Sequence, residues 1–339
     1  MINVVSLFNG MNTGRQALEN VGIKVNKYYS SEIKPYAIEL TQHHFPDTIQ
    51  VGDVTKWKEW DIDWGSIDLV LSGSPCQDLS AAGKRAGING KKSSLFFVFV
   101  DILNHIKSLN PKVLFLQENV GSASKLDVGI MSRELGVYPV RFNSSKVSAQ
   151  MRDRYYWTNI RTKKTMFDEV VDIPEPKDRK IYLKDILENG YSEKQKAMCL
   201  LESNSRPLST PSKMARRYFE IGMANLLFKD EKTYLRVKEA TSIGFVDIAN
   251  NEAVDLSYPT STTRRGRSMK DKSNCLLRNN EYFVFQDGDI RYFSQTELER
   301  LQGFEDGYTS ILTRNQAACL LGDGWTLPVI EHIFSFINK

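Results

Sequence analysis

Residues 67–80 read Ile67-Asp68-Leu69-Val70-Leu71-Ser72-Gly73-Ser74-Pro75-Cys76-Gln77-Asp78-Leu79-Ser80. The run from Ile67 to Leu71 is strongly apolar, as befits a strand buried in a parallel sheet, and it stops at Gly73. Beyond it comes a loop in which Pro75 stiffens the chain just ahead of a single thiol. Open α/β sheets place their chemistry on such loops, at the carboxyl ends of parallel strands. Taken alone, Cys76 is equally well explained as a small buried hydrophobe. The rest of the chain has to decide.

The 339 residues suffice for one large α/β domain and a smaller one. The chain is 41% hydrophobic and 25% charged, values typical of a soluble globular protein. No apolar run approaches the roughly 18 residues needed to span a bilayer. The chain opens on an apolar strand, Ile2 to Phe8, without a basic-then-apolar leader, and a cytoplasmic location is expected. Cys76, Cys199, Cys275 and Cys319 are scattered, which suits a reducing compartment and offers no paired metal ligands. No metal is therefore expected. The net charge is +4, and its distribution is uneven. Residues 161–285 hold 23 Lys+Arg against 18 Asp+Glu, while the remainder holds 22 against 23. The basic surplus thus lies in one segment, as a polyanionic partner would require.

Several strand ends carry chemistry. After the first strand, Asn9-Gly10-Met11-Asn12-Thr13-Gly14 leads into a helix, and its two glycines allow a tight turn against a ligand. The pattern is not a full GxGxxG, so a dinucleotide fingerprint is not supported. Val25 to Ser30 reads as a strand ending at Glu32, placed to accept hydrogen bonds from a ribose diol. Asp53 follows Val51-Gly52, where it could take an adenine amino group or cap the next helix. Three such ends point to a nucleoside-type cofactor. Ala81 to Ser94 is rich in Gly and Lys, lacks apolar periodicity and reads as a lid. Leu95 to Ile106 reads as a buried helix. Val113 to Leu116 reads as a strand ending at Gln117-Glu118-Asn119-Val120, where Glu118 is either a helix N-cap or an acid in the chemistry. Val140 to Phe142 and Tyr155 to Ile160 complete the sheet. Arg152 and Arg154, two apart on an extended segment, should point the same way, towards an anion or carbonyl.

These residues, in this order and spacing, resemble the DNA (cytosine-5) methyltransferases. The resemblance rests on Phe8-Asn9-Gly10 with Gly14, on Glu32, Asp53 and Ser74-Pro75-Cys76, and on Glu118-Asn119-Val120 and Gln150-x-Arg152-x-Arg154. It extends to Arg300-Leu301-Gln302-Gly303-Phe304 and to the segment from Leu321-Gly322-Asp323-Gly324-Trp325 to Val329. Leu95-Phe96-Phe97, Leu-Gly-x-x-Trp and Thr262-Thr263-Arg264 look closest to the animal de novo enzymes. Without histone-reading domains, the chain is identified as a bacterial or phage member of that lineage.

The resemblance implies a Rossmann-like α/β methyltransferase sheet that binds S-adenosylmethionine, with a smaller target-recognition domain. Residues 1–160 would form the catalytic and cofactor-binding domain, 161–285 the recognition domain, and 286–339 a segment returning to the first. It further implies that the Cys76 thiolate attacks cytosine carbon 6 and that Glu118 protonates or hydrogen-bonds ring nitrogen 3. Arg154 would hold the exocyclic oxygen, and Arg152 would support the thiol and its loop. The cofactor would be bordered by Phe8, Gly10, Thr13, Gly14, Val54, Pro75, Leu95, Asp323, Trp325 and Thr326, with Glu32 on its ribose and Asp53 on its adenine. The target base must leave the stack of double-stranded DNA, at a few kcal/mol. Gln77, Ser80, Arg216, Arg217, Thr263, Arg264, Arg265 and Arg267 are expected to contact DNA, mostly at phosphates, with Arg264 reading a guanine edge. A cognate restriction endonuclease is a candidate partner. Two other readings remain: a catalytically silent DNA-binding homologue, and a tRNA cytosine-5 methyltransferase. The family's tRNA enzymes carry a shorter recognition region than the segment from 161 to 285.

Overall fold

The computed structural model describes residues 1–75, 95–190, 192, 194–200, 234–249, 262–263 and 293–337, and short strands at 227–228, 253–255, 267–269, 282–284 and 290–291. Its centre is a seven-stranded sheet. The members are β1 (Ile2–Leu7), β2 (Val25–Ser31), β3 (Ile49–Gln50), β4 (Leu69–Ser72), β5 (Leu114–Val120), β6 (Val140–Asn143) and β8 (Asp153–Thr158), with the two-residue β7 (Gln150–Met151) outside it. The order is β3-β2-β1-β4-β5-β8-β6. β3, β2, β1, β4 and β5 run parallel, and β8 is antiparallel to both of its neighbours. From β1 the chain steps outward to β2 and β3, then returns to place β4 on the other side. That reversal makes the gap between the carboxyl ends of β1 and β4 the topological switch point, where open α/β sheets form their ligand crevice.

The continuous apolar run of β4 is explained by complete burial of all four residues. Helix α1 (Thr13–Asn20) sits close over β4, because a Cβ on Gly14 would collide with the Leu71 side chain. Helices α2 (Pro35–His44), α3 (Leu95–Leu109) and α4 (Lys125–Leu135) follow. Phe96, Phe99 and Leu103 of α3 join Val4, Val5, Val70 and Phe115 in one core. Two strands extend differently from the sequence expectation. β5 runs on through Glu118-Asn119-Val120, and β8 begins at Asp153, because Leu116–Val120 pairs antiparallel with Arg154–Thr158. Glu118 therefore lies within a strand. The cap of the following helix is Ser124, whose hydroxyl accepts the Asp127 N–H.

Residues 161–200 remain bonded to this body. They contain a hairpin of β9 (Thr162–Lys164) and β10 (Glu169–Val171), a helical turn α5 (Leu183–Ile186) and β11 (Ala197–Met198), which pairs with β7. The C-terminal helices are α6 (Gln295–Gln302), α7 (Arg314–Asp323) and α8 (Leu327–Phe334). Helix α8 packs on α1 and brings the end of the chain beside its beginning, where Asn20 donates to Glu331 at 2.6 Å. Among the described residues no helix is long and apolar enough to cross a membrane.

Candidate active site

Strand register builds the site. Leu7 is level with Ser31 of β2 and Ser72 of β4, and Ser72 is level with Gln117 of β5. The next residues, in spatial order Glu32, Phe8, Gly73 and Glu118, therefore follow one another along the carboxyl edge on four adjacent strands. Glu118 faces Tyr156 across β5 and β8, so Arg154, two residues from Tyr156, is its diagonal neighbour on the same face.

At the β1–β2 end, Phe8, Gly10 and Asn12 all adopt positive φ (56°, 58° and 65°), so the backbone folds back sharply before α1. The Glu32 carboxylate holds this turn: Oε2 accepts the Gly10 N–H at 2.8 Å, and Oε1 accepts those of Ile33 and Lys34. Among the described residues, a Cβ on Gly10 would meet only Phe8 O at 4.0 Å and one on Gly52 would meet nothing, so neither glycine is crowded by them. The buried carboxamide of Asn12 has no partner for either of its polar atoms among the described residues. Asp53 caps the 3₁₀ turn 54–59, its Oδ1 accepting from the Thr55 N–H and hydroxyl, both at 2.9 Å. The backbone bond first, then the hydroxyl, hold its carboxyl below the usual range. An uncrowded cradle flanked by two carboxylates and an unpaired amide suits a nucleoside bearing hydroxyl and amino donors. The residues present thus fit S-adenosylmethionine. Val54 is buried beside Asp53, and Leu95 is half-buried at the start of α3.

The C-terminal segment closes the other side. Asp323 pairs with Lys34 at 3.0 Å, linking the end of α7 to the turn after β2. Burial is the largest single influence and lowers the Lys34 pKa, but the Asp323 charge and hydrogen bond, with smaller contributions from Tyr36 and Cys319, together outweigh it and the net shift is upward. Trp325 Nε1 donates to Glu118 Oε2 at 3.1 Å, and Arg154 Nε lies 2.8 Å from Oε1. Glu118 is only 8% exposed, so its charge is met at both oxygens. Tyr156, opposite Glu118, has its phenol pKa pushed up by burial and then by the Glu118 charge.

Arg152 and Arg154 lie on one side of the chain, and both reach Cys199 Sγ, at 3.4 and 3.8 Å. Arg152 also donates to the carbonyls of Leu200 (2.8 Å), Gly322 (3.1 Å) and Asp323 (3.4 Å), fastening β7 and β8 to α7. Buried Gln150 donates to Leu301 O and Gln302 Oε1, and Thr326 donates to the same Gln302 oxygen at 2.8 Å. Ser74, just before Pro75, accepts from Gln117 at 2.9 Å and from Asn119 at 3.4 Å. This ties the turn after β4 to β5. The sequence assigns no role to Ser74, Gln117, Gln302 or Cys199. The first three lie within quoted motifs, whereas only packing brings Cys199 to the arginines.

Cys76, Gln77, Ser80 and the lid stretch to Ser94 lie outside the described residues, as do Arg216, Arg217, Arg264 and Arg265. Arg267 begins a short strand, Arg267–Met269, and Thr263 sits in an exposed turn.

A family model for C-5 cytosine-specific DNA methylases matches residues 2–339. The chain belongs to that family. Among its relatives, the type II methyltransferase M.NlaIV of Neisseria lactamica is 37% identical over 123 residues, covering 35% of this chain and 28% of that protein. The chain thus aligns with less than a third of that relative's length. M1.ScrFI of Lactococcus lactis subsp. cremoris is 25% identical over 340 residues, covering 97% of this chain and 76% of that one. A solved DNMT2 mutant from Spodoptera frugiperda is 18% identical, covers 99% of both chains and superposes with a TM-score of 0.54, a likeness of fold.

Proposed function

We propose that this methylase transfers a methyl group from S-adenosylmethionine to carbon 5 of a cytosine flipped out of double-stranded DNA. The observation carrying the proposal is the row along one sheet edge. It brings the glycine turn with Glu32 on β1 and β2, the turn after β4 that leads towards Cys76, and the Glu118–Arg154 pair on β5 and β8 to neighbouring strands around the switch point.

The Cys76 thiolate adds to cytosine carbon 6, and the electron pair gained by the ring makes carbon 5 nucleophilic. Glu118, having taken up a proton from solvent, meets the developing charge at ring nitrogen 3 by donating that proton or a hydrogen bond, and recovers it when the adduct breaks down. Arg154 fixes the Glu118 carboxylate, and its positive charge faces the exocyclic oxygen. The bound cofactor supplies an electrophilic methyl group. After methylation a water molecule takes the carbon 5 proton, the C–H electron pair re-forms the 5,6 double bond, and Cys76 departs as thiolate with the C–S pair. Glu32 and Asp53 take the ribose and adenine donors. Arg152 keeps Arg154 and the C-terminal segment in register. The basic clusters of the 161–285 segment bind the DNA phosphates, and Arg264 reads a base. Cytoplasmic residence and pairing with a restriction endonuclease are consistent with the type II relatives.

The test is transfer of labelled methyl to duplex DNA, with tRNA as the alternative acceptor. Wild type should label DNA, and Cys76→Ser should lose at least about a thousandfold of that rate, as loss of a covalent nucleophile does. Labelling of tRNA alone, or of neither acceptor, overturns the proposal.

A further inference from the structure

Trp325 is 207 residues away from Glu118 in sequence, yet its indole N–H donates to Glu118 Oε2 at 3.1 Å. The same ring lies against Gly73: a Cβ there would stand 2.8 Å from Nε1 and 3.3 Å from Cε2 and Cζ2. One side chain from the turn between α7 and α8 therefore touches the β4 turn that leads to Cys76 and the glutamate on β5. A wall for the cofactor needs only the face of a ring. It does not need an N–H aimed at a carboxylate, or a glycine beneath it.

The terminal torsion of a glutamate is broad and has no sharp rotamer, so the plane of its carboxylate is set by its hydrogen bonds. Arg154 Nε approaches Oε1 at 2.8 Å and would leave the group free to turn about that contact. A second donor on Oε2 removes this freedom.

We propose that Trp325 is a positioning residue for Glu118, its indole N–H fixing the carboxylate plane so that the group meets ring nitrogen 3 of the substrate. The proposal rests on the methyltransferase reading above. It makes the segment after α7 part of the acid's support as well as a border of the cofactor cradle. Gly73 is the residue that lets the indole come close enough.

The test compares wild type, Trp325→Phe, Glu118→Ala and the double variant, with a fifth protein carrying benzothienylalanine at position 325 as an isostere lacking the N–H. In single-turnover methyl transfer at saturating cofactor, Trp325→Phe and the isostere should each lose on the order of tenfold in rate, and the isostere, which keeps the ring face, should hold cofactor affinity within about twofold. In the Glu118→Ala background, Trp325→Phe should cause no further fall. Unchanged rate with weakened cofactor binding, or an equal fall in both backgrounds, overturns the proposal. Wild type and Cys76→Ser in the same assay report on the methyltransferase reading separately. Urea unfolding of the four proteins in the cycle needs no activity at all. Non-additive shifts in midpoint support the coupling, and additive shifts overturn it.

Discussion

Among single residues, Gly73 carries a sharp structural requirement. The sequence marks it as the end of a strand, but the demand on it comes from an indole more than 250 positions away. With Trp325 Nε1 2.8 Å from the place of a Cβ, Gly73→Ala forces the ring or the strand to shift. Overpacking of this kind destabilises by about 1–3 kcal/mol. The urea midpoint of Gly73→Ala should fall accordingly, and a midpoint equal to that of wild type would show that the ring moves freely. Arg152 and Arg154 were legible as a pair because alternation on an extended segment is a local property. Their partners were not: the Leu200 and Gly322 carbonyls and Cys199 Sγ lie 45 or more positions away and arrive only through folding.

At the scale of elements, the apolar run of β4, the buried helix beginning at Leu95 and the strand starting at Val25 were readable because each carries its signal within its own span. β5 extends beyond its apolar run. Its last residues are polar, and what keeps them extended is antiparallel pairing with β8, a contact between segments some 40 residues apart. Helix α6 shows a local signal at full strength. The Ser294 hydroxyl accepts the Glu297 N–H at 3.1 Å, and Glu297 returns a bond to the Ser294 N–H at 2.9 Å. Ser294→Ala should destabilise the protein by about 1 kcal/mol, read as a lower urea midpoint with the slope unchanged. A loss well beyond 2 kcal/mol would mean that Ser294 does more than cap.

For the whole molecule, the Lys34–Asp323 pair joins the first third of the chain to its end across the cradle. Both side chains are well exposed, at 38% and 47%, so the pair is worth no more than about 1 kcal/mol. The folded pKa of Lys34 is raised above its ordinary 10.5. Its stabilisation is therefore complete below pH 10.5 and is lost as pH rises through the higher folded value. The urea midpoint difference between wild type and Asp323→Asn should stay level from about pH 7 to 10, then shrink above 10.5, and 1 M salt should reduce it throughout. A difference that grows in alkali would contradict the sign of the shift. By itself the sequence determined the alternation of strands and helices, the strand ends bearing Gly, Glu, Asp and Cys, and the family pattern, since all of these reside in short spans. Only the tertiary structure decided that Glu32, Phe8, Gly73 and Glu118 follow one another along one sheet edge, and that Trp325 and Arg154 meet the two oxygens of Glu118. The reason is physical: strand register and the return of α8 onto α1 are set by pairing and burial between distant segments, and no local spacing encodes them.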